Sequence, residues 1–74
     1  MSFVEVTDTF LANSVGLKEV AAALRVSYST VRATRLPSDS PSHRKPPQGW
    51  ERALARLARE RAGSLSKLAE ELEG

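Results

Sequence analysis

A single imidazole, His43, and no cysteine anywhere in 74 residues leave this chain few routes to covalent or metal chemistry. Serines, Asp39 and His43 do fall together between positions 38 and 43, the residue types of a nucleophile, its base and an orienting acid. They lie in PSDSPSHRKPPQG, residues 37–49, which holds all four prolines of the chain. So flexible a segment cannot hold three groups at working distances. No carboxylate pair, metal-ligand set or glycine-rich phosphate loop can be assembled from the rest. The residues therefore speak against an enzyme, and no cofactor, metal or small-molecule substrate is expected.

What remains is fixed charge and its placement. The net charge of +2 is modest, but it is segregated. Residues 1–15 carry only Glu5 and Asp8, whereas residues 16–36 set Lys18, Arg25, Arg32 and Arg35 against Glu19 alone. Residues 50–62 are again basic, with four arginines against two glutamates, and residues 63–74 are acidic, with Lys67 against three glutamates. A basic middle between acidic ends suits an anionic partner met by the middle of the chain.

The elements that must carry this charge read as helices, giving an all-α fold. Leu17, Val20, Ala21 and Leu24 recur at spacings of three and four and share one face, which predicts a helix over 17–24. Ser27 is placed to cap a further helix over 28–35, with Val31 and either Thr34 or Leu36 facing inward. Ahead of them a short helix near 7–14, capped by Thr7 or Asp8, is expected, although the β-branched content of Ser2 to Thr7 also suits a strand. The prolines of 37–49 make a linker. After it Trp50, Leu54, Leu57, Arg61, Leu65, Leu68 and Leu72 form a stripe that suits one long helix, or two if Gly63 and Ser64 break it. The organisation is thus an N-terminal part over 1–36, a linker over 37–49 and a helical segment over 50–74.

Between residues 17 and 36, LKEVAAALRVSYSTVRATRL, the pattern is more specific than a helix pair. Ala21 is small where two crossing helices approach most closely, Val20 and Leu24 line the inner face, Val26 plugs the turn and Val31 packs back from the second helix. The stretch VAAALRVSYSTV resembles helix-turn-helix DNA-binding proteins of the Cro and phage-repressor type, with their MerR-like and excisionase-like relatives. Arg25 stands where that family prefers glycine, and Thr34 where a larger apolar residue is usual.

The resemblance implies that residues 28–35 enter the major groove of double-stranded DNA as a recognition helix. Tyr28, Ser29, Arg32 and Ala33 would then face base edges, Arg32 through a planar fork that matches guanine. Lys18, Ser27, Thr30 and Arg35 would meet phosphates, and His43, Arg44 and Lys45 could reach the backbone or minor groove from the linker as an arm. Trp50 is expected to anchor the last helix against the helix-turn-helix. Leu57, Leu65, Leu68 and Leu72 exceed what one small unit can cover, so a homodimer formed through them is expected, with a rough palindrome as its site. The function that follows is a sequence-specific transcriptional regulator. A small terminase-like packaging component and a helical interaction adaptor are the alternatives. MSFVEVTDTF carries two acids, no base and no long apolar run, which argues against a signal peptide or membrane span and for a cytoplasmic protein.

Overall fold

The computed structural model describes residues 1–74 as four helices without a strand: α1 (Phe3–Ala12), α2 (Leu17–Leu24), α3 (Tyr28–Thr34) and α4 (Trp50–Glu73). No helix is long and apolar enough to cross a membrane.

Helix α1 begins earlier than the expected 7–14, and no strand forms over residues 2–7, because neither Thr7 nor Asp8 is the cap. Ser2 is: its Oγ accepts the Glu5 amide at 3.1 Å while the Ser2 amide donates to Glu5 Oε1 at 3.0 Å. This reciprocal box satisfies two amides that a helix start leaves unpaired. Hydrogen bonding from Ser2, through its amide first and its hydroxyl second, holds the Glu5 carboxyl below its ordinary range. With the start fixed there, Phe3, Thr7 and Phe10 fall on one face and are buried. Thr7 is accommodated in that face because its hydroxyl donates back to the Phe3 carbonyl at 2.8 Å.

The two turns that follow are built alike. After α1, Ser14 takes a left-handed conformation (φ 65°), and the Val15 amide reaches back to the Phe10 carbonyl at 2.9 Å. After α2, Arg25 does the same (φ 57°), and the Val26 amide reaches the Ala21 carbonyl at 3.0 Å. Both are Schellman closures in which the residue after the left-handed position turns inward. Val15 is thereby buried, and Val26 packs against the core. Neither left-handed residue is glycine, at a cost of about 1 kcal/mol each.

Helix α2 forms the centre, and one apolar cluster joins Val20 and Ala21 to Phe3 and Phe10 of α1, Val31 of α3 and Leu54 of α4. Val20 is fully shielded from solvent. On α3 the inward partner of Val31 is Thr34, which is 4% exposed and donates to the Thr30 carbonyl at 2.9 Å, whereas Leu36 is 39% exposed.

Helix α4 is continuous through Gly63 and Ser64. It starts at Gly49, whose φ of +82° suits glycine at this position. Trp50 meets α1 as well as the cluster: its ring stands edge-on to Phe3 with centroids 5.2 Å apart. Leu57 packs on the chain's own core, which separates it from Leu65, Leu68 and Leu72, all exposed. From Ala62 onward every residue is exposed, and the helix projects to give an elongated molecule of 53 × 20 × 20 Å.

A Cβ added at Gly63 would meet nothing within 4 Å. Gly63→Ala is therefore expected to favour the helix by about 1 kcal/mol, read as a gain in far-UV helical ellipticity. A loss of ellipticity would show that the chain breaks at this point.

Candidate nucleic-acid interface

The corner of α2 and α3 decides which side chains reach solvent. Burial of Val31 and Thr34 turns the opposite side of α3 outward, leaving Tyr28, Ser29 and Arg32 exposed and Ala33 half-buried. Ser27 caps this helix as expected, its Oγ accepting the Thr30 amide at 3.1 Å. The same Oγ lies 2.9 Å from the Thr30 hydroxyl, so the two hydroxyls are already linked to each other.

Tyr28 organises the exposed face. Lys18 Nζ, from α2, lies 5.9 Å from the ring centroid and Arg32 Cζ, one turn along α3, lies 5.8 Å from it. Each cation gains from the ring about 0.5 to 1 kcal/mol at such exposed positions. The phenol ring thus gathers two positive groups into one patch of exposed residues. The sequence shows the 28/32 spacing of this cluster, but the approach of Lys18 depends on how the helices cross.

The linker is no free arm. Residues 37–42 are largely turns, closed by bonds from the Ser40 amide to the Pro37 carbonyl at 2.9 Å and from the His43 amide to the Ser40 carbonyl at 3.0 Å. The Arg44 amide then donates to the Ala33 carbonyl at the end of α3, at 3.4 Å. The segment folds back beside α3 and completes an open polar basin with walls of Ser27, Ser29, Thr30 and Ala33 on one side and Pro41, Ser42, His43 and Arg44 on the other. None of these residues is acidic. Ser42 joins the expected residues here, and only a folded linker could bring it in. Arg44 and Lys45 remain exposed.

Arg35 differs from its expected role. Rather than standing free for a phosphate, its guanidinium crosses to α1, donating to Thr7 Oγ1 at 2.5 Å and to Asp8 Oδ1 at 2.7 Å. It supplies the buried Thr7 hydroxyl with a donor and ties the end of α3 to α1. The other ion pairs are Arg56 with Glu60, one turn apart on α4, and Arg61 with Glu19, which ties α4 to α2. Lys18, Arg25, Arg32, Arg44 and Lys45 therefore have no carboxylate partner. No cluster of metal-ligating side chains is present.

No protein-family model, curated protein or solved structure matches the chain.

The two arginines of α3 should separate cleanly in stability measurements. Arg35→Ala is expected to lower the unfolding free energy by about 1 kcal/mol, the scale of a part-exposed charged hydrogen bond, and Arg32→Ala to lower it by only about 0.5 kcal/mol, the low end of an exposed contact with an aromatic ring. Urea titration of both variants checks this, and the reverse ranking would contradict the assigned roles.

Proposed function

We propose that this chain is a sequence-specific DNA-binding protein, a transcriptional regulator that inserts α3 into the major groove and acts by occupying its site and not by catalysis. The observation that carries the reading is the outward face of α3. Tyr28, Ser29 and Arg32 are exposed there beside Lys18, and neither cation is paired with a carboxylate. A short helix held by its inner face, with a polar and cationic outer face, has the shape and chemistry that a major groove about 12 Å wide accepts. The resemblance of residues 20–31 to the helix-turn-helix of phage repressors supports the same docking.

In this reading Arg32 is the principal reader of bases, donating two parallel hydrogen bonds to guanine O6 and N7. Ser29 donates to or accepts from a neighbouring base, Ala33 meets a thymine methyl, and Tyr28 keeps Arg32 and Lys18 in place while contacting a base itself. Lys18, Ser27 and Thr30 meet phosphates on one side of the groove, and Arg44 and Lys45 meet them from the folded linker on the other. Arg35 is left out of this set because it holds the fold. Two copies bound together would present two α3 helices to a rough palindrome, its half-sites about one DNA turn apart. A cytoplasmic location follows from this role.

Selection from a random duplex library, followed by anisotropy titration of the selected site, tests the assignment. Arg32→Ala is expected to lose about 1 to 3 kcal/mol of discrimination at one base pair. Lys18→Ala is expected to weaken every sequence alike and reduce the salt slope by about one. Undiminished specificity in the Arg32 variant would remove Arg32 as the reader, and no selected sequence at low salt would remove the function.

A further inference from the structure

An apolar groove of about 500 Å³ runs between α1 and α4. Val6 and Phe10 form part of one wall, and Ala55, Ala58, Ala62 and Leu65 form part of the other. Beyond Arg61 the helix continues for about 18 Å with nothing packed on it, and Leu65, Leu68 and Leu72 there are 59%, 49% and 78% exposed. Both the groove and the protruding leucines are apolar surfaces without an occupant in one copy of the chain.

Two features of α4 say what covers them. Ala55, Ala58, Ala62, Leu65, Ala69 and Leu72 recur at alternating spacings of three and four, the seam of a helix that pairs with another. This seam runs past the groove and out along the protruding half. Its two halves are unlike in size, with three alanines along the groove and then Leu65 at its end, Ala69 and Leu72 running outward. They are also unlike in charge, with residues 50–62 at +2 and residues 63–74 at −2.

A parallel pair would set +2 against +2 and −2 against −2. An antiparallel pair reverses both terms. It turns about the middle of the seam, between Gly63 and Ser64, so that Ala62 lies opposite Leu65, Ala58 opposite Ala69 and Ala55 opposite Leu72. Alanine then meets leucine at 62/65 and at 55/72, with alanine on alanine between them, each acidic end lies along a basic half, and Arg52 of one helix comes beside Glu73 of the other. We propose that two copies of this chain associate through antiparallel α4 helices, each seating Leu65, Ala69 and Leu72 in the α1–α4 groove of the other.

The pairing deepens the two-copy part of the function proposed above and does not depend on DNA binding. The absence of native cysteine makes it testable by cross-linking. Ala55 is exposed, as is Leu72, so neither Ala55→Cys nor Leu72→Cys disturbs the core. In the antiparallel pair Cys at 55 of one copy would face Cys at 72 of the other, within the roughly 7 Å between Cα atoms that a disulfide requires. Two copies of the same variant would hold their thiols about 25 Å apart along the helices.

Oxidation of an equimolar mixture of the two single variants is therefore expected to give a disulfide-linked dimer, and either variant alone to give none, with a dimeric mass by light scattering for the unmodified chain. Self-linking of the Ala55→Cys variant would overturn the proposal in favour of a parallel pair. A dimeric mass with no link in the mixture would place the interface elsewhere. A monomeric or ring-sized mass would overturn the pairing together with the two-copy reading. DNA titration of the same samples reports separately on whether α3 binds, so the failure of one is distinguishable from the failure of the other.

Discussion

The fold turns on the burial of Val20. It is fully shielded at the centre of α2, in one apolar cluster with Val31 of α3, Leu54 of α4 and the two phenylalanines of α1. Nine residues are buried in all, so the loss of any one large side chain, at about 1.5 to 3 kcal/mol of apolar burial, removes a sizeable part of what a chain this small can muster. The same contact sets direction. With Val31 and Thr34 drawn inward against α2, the geometry of a helix turns Ser29 and Arg32 outward and sets Tyr28 at the flank, where it is 41% exposed.

Polar bonds then fix what apolar packing alone would leave loose. Non-directional burial can turn the apolar face of α3 toward α2 without fixing the position of its end. Arg35, bound to Thr7 and Asp8, fixes the far end of α3 to α1, and Arg61, bound to Glu19, fixes α4 to α2. The Arg44 amide on the Ala33 carbonyl brings the linker alongside. Each of these joins segments distant in sequence, and each leaves the cations of the α3 face unpaired. A division of labour among the arginines results. Those at 35 and 61 are structural, whereas Arg32 is held only over the ring of Tyr28 and is free to find another partner.

How much of this could be read from residues alone depends on how local each cause is. The bounds of α2 and the start of α3 follow from spacing and from the cap at Ser27, and the left-handed position at Arg25 from the helix-turn-helix resemblance, all within a few residues of one another. The start of α1 was equally local. Ser2 and Glu5 stand three apart just before Val6 and Phe10, a capping-box pattern, and reading Thr7 or Asp8 as the cap displaced the helix by one turn. The continuity of α4 through Gly63 was not decidable from spacing, since one poor helix former is tolerated inside a long amphipathic run. The role of Arg35 was not visible at all, because Asp8 is 27 residues away and only the packed fold brings them together. Leu57 and Trp50 illustrate the same limit: a stripe shows which face is apolar but not which neighbour covers it.

The central claim is that the outer face of α3 is the surface that meets nucleic acid, and amide chemical-shift mapping of the isotopically labelled chain tests it most directly. On titration with the selected duplex, shifts are expected at Ser27 through Ala33 together with Lys18 and Arg44, while Val20 and Leu54 stay where they were. Shifts confined to α4, or a saturable interaction that leaves residues 27–33 unmoved, would contradict the account.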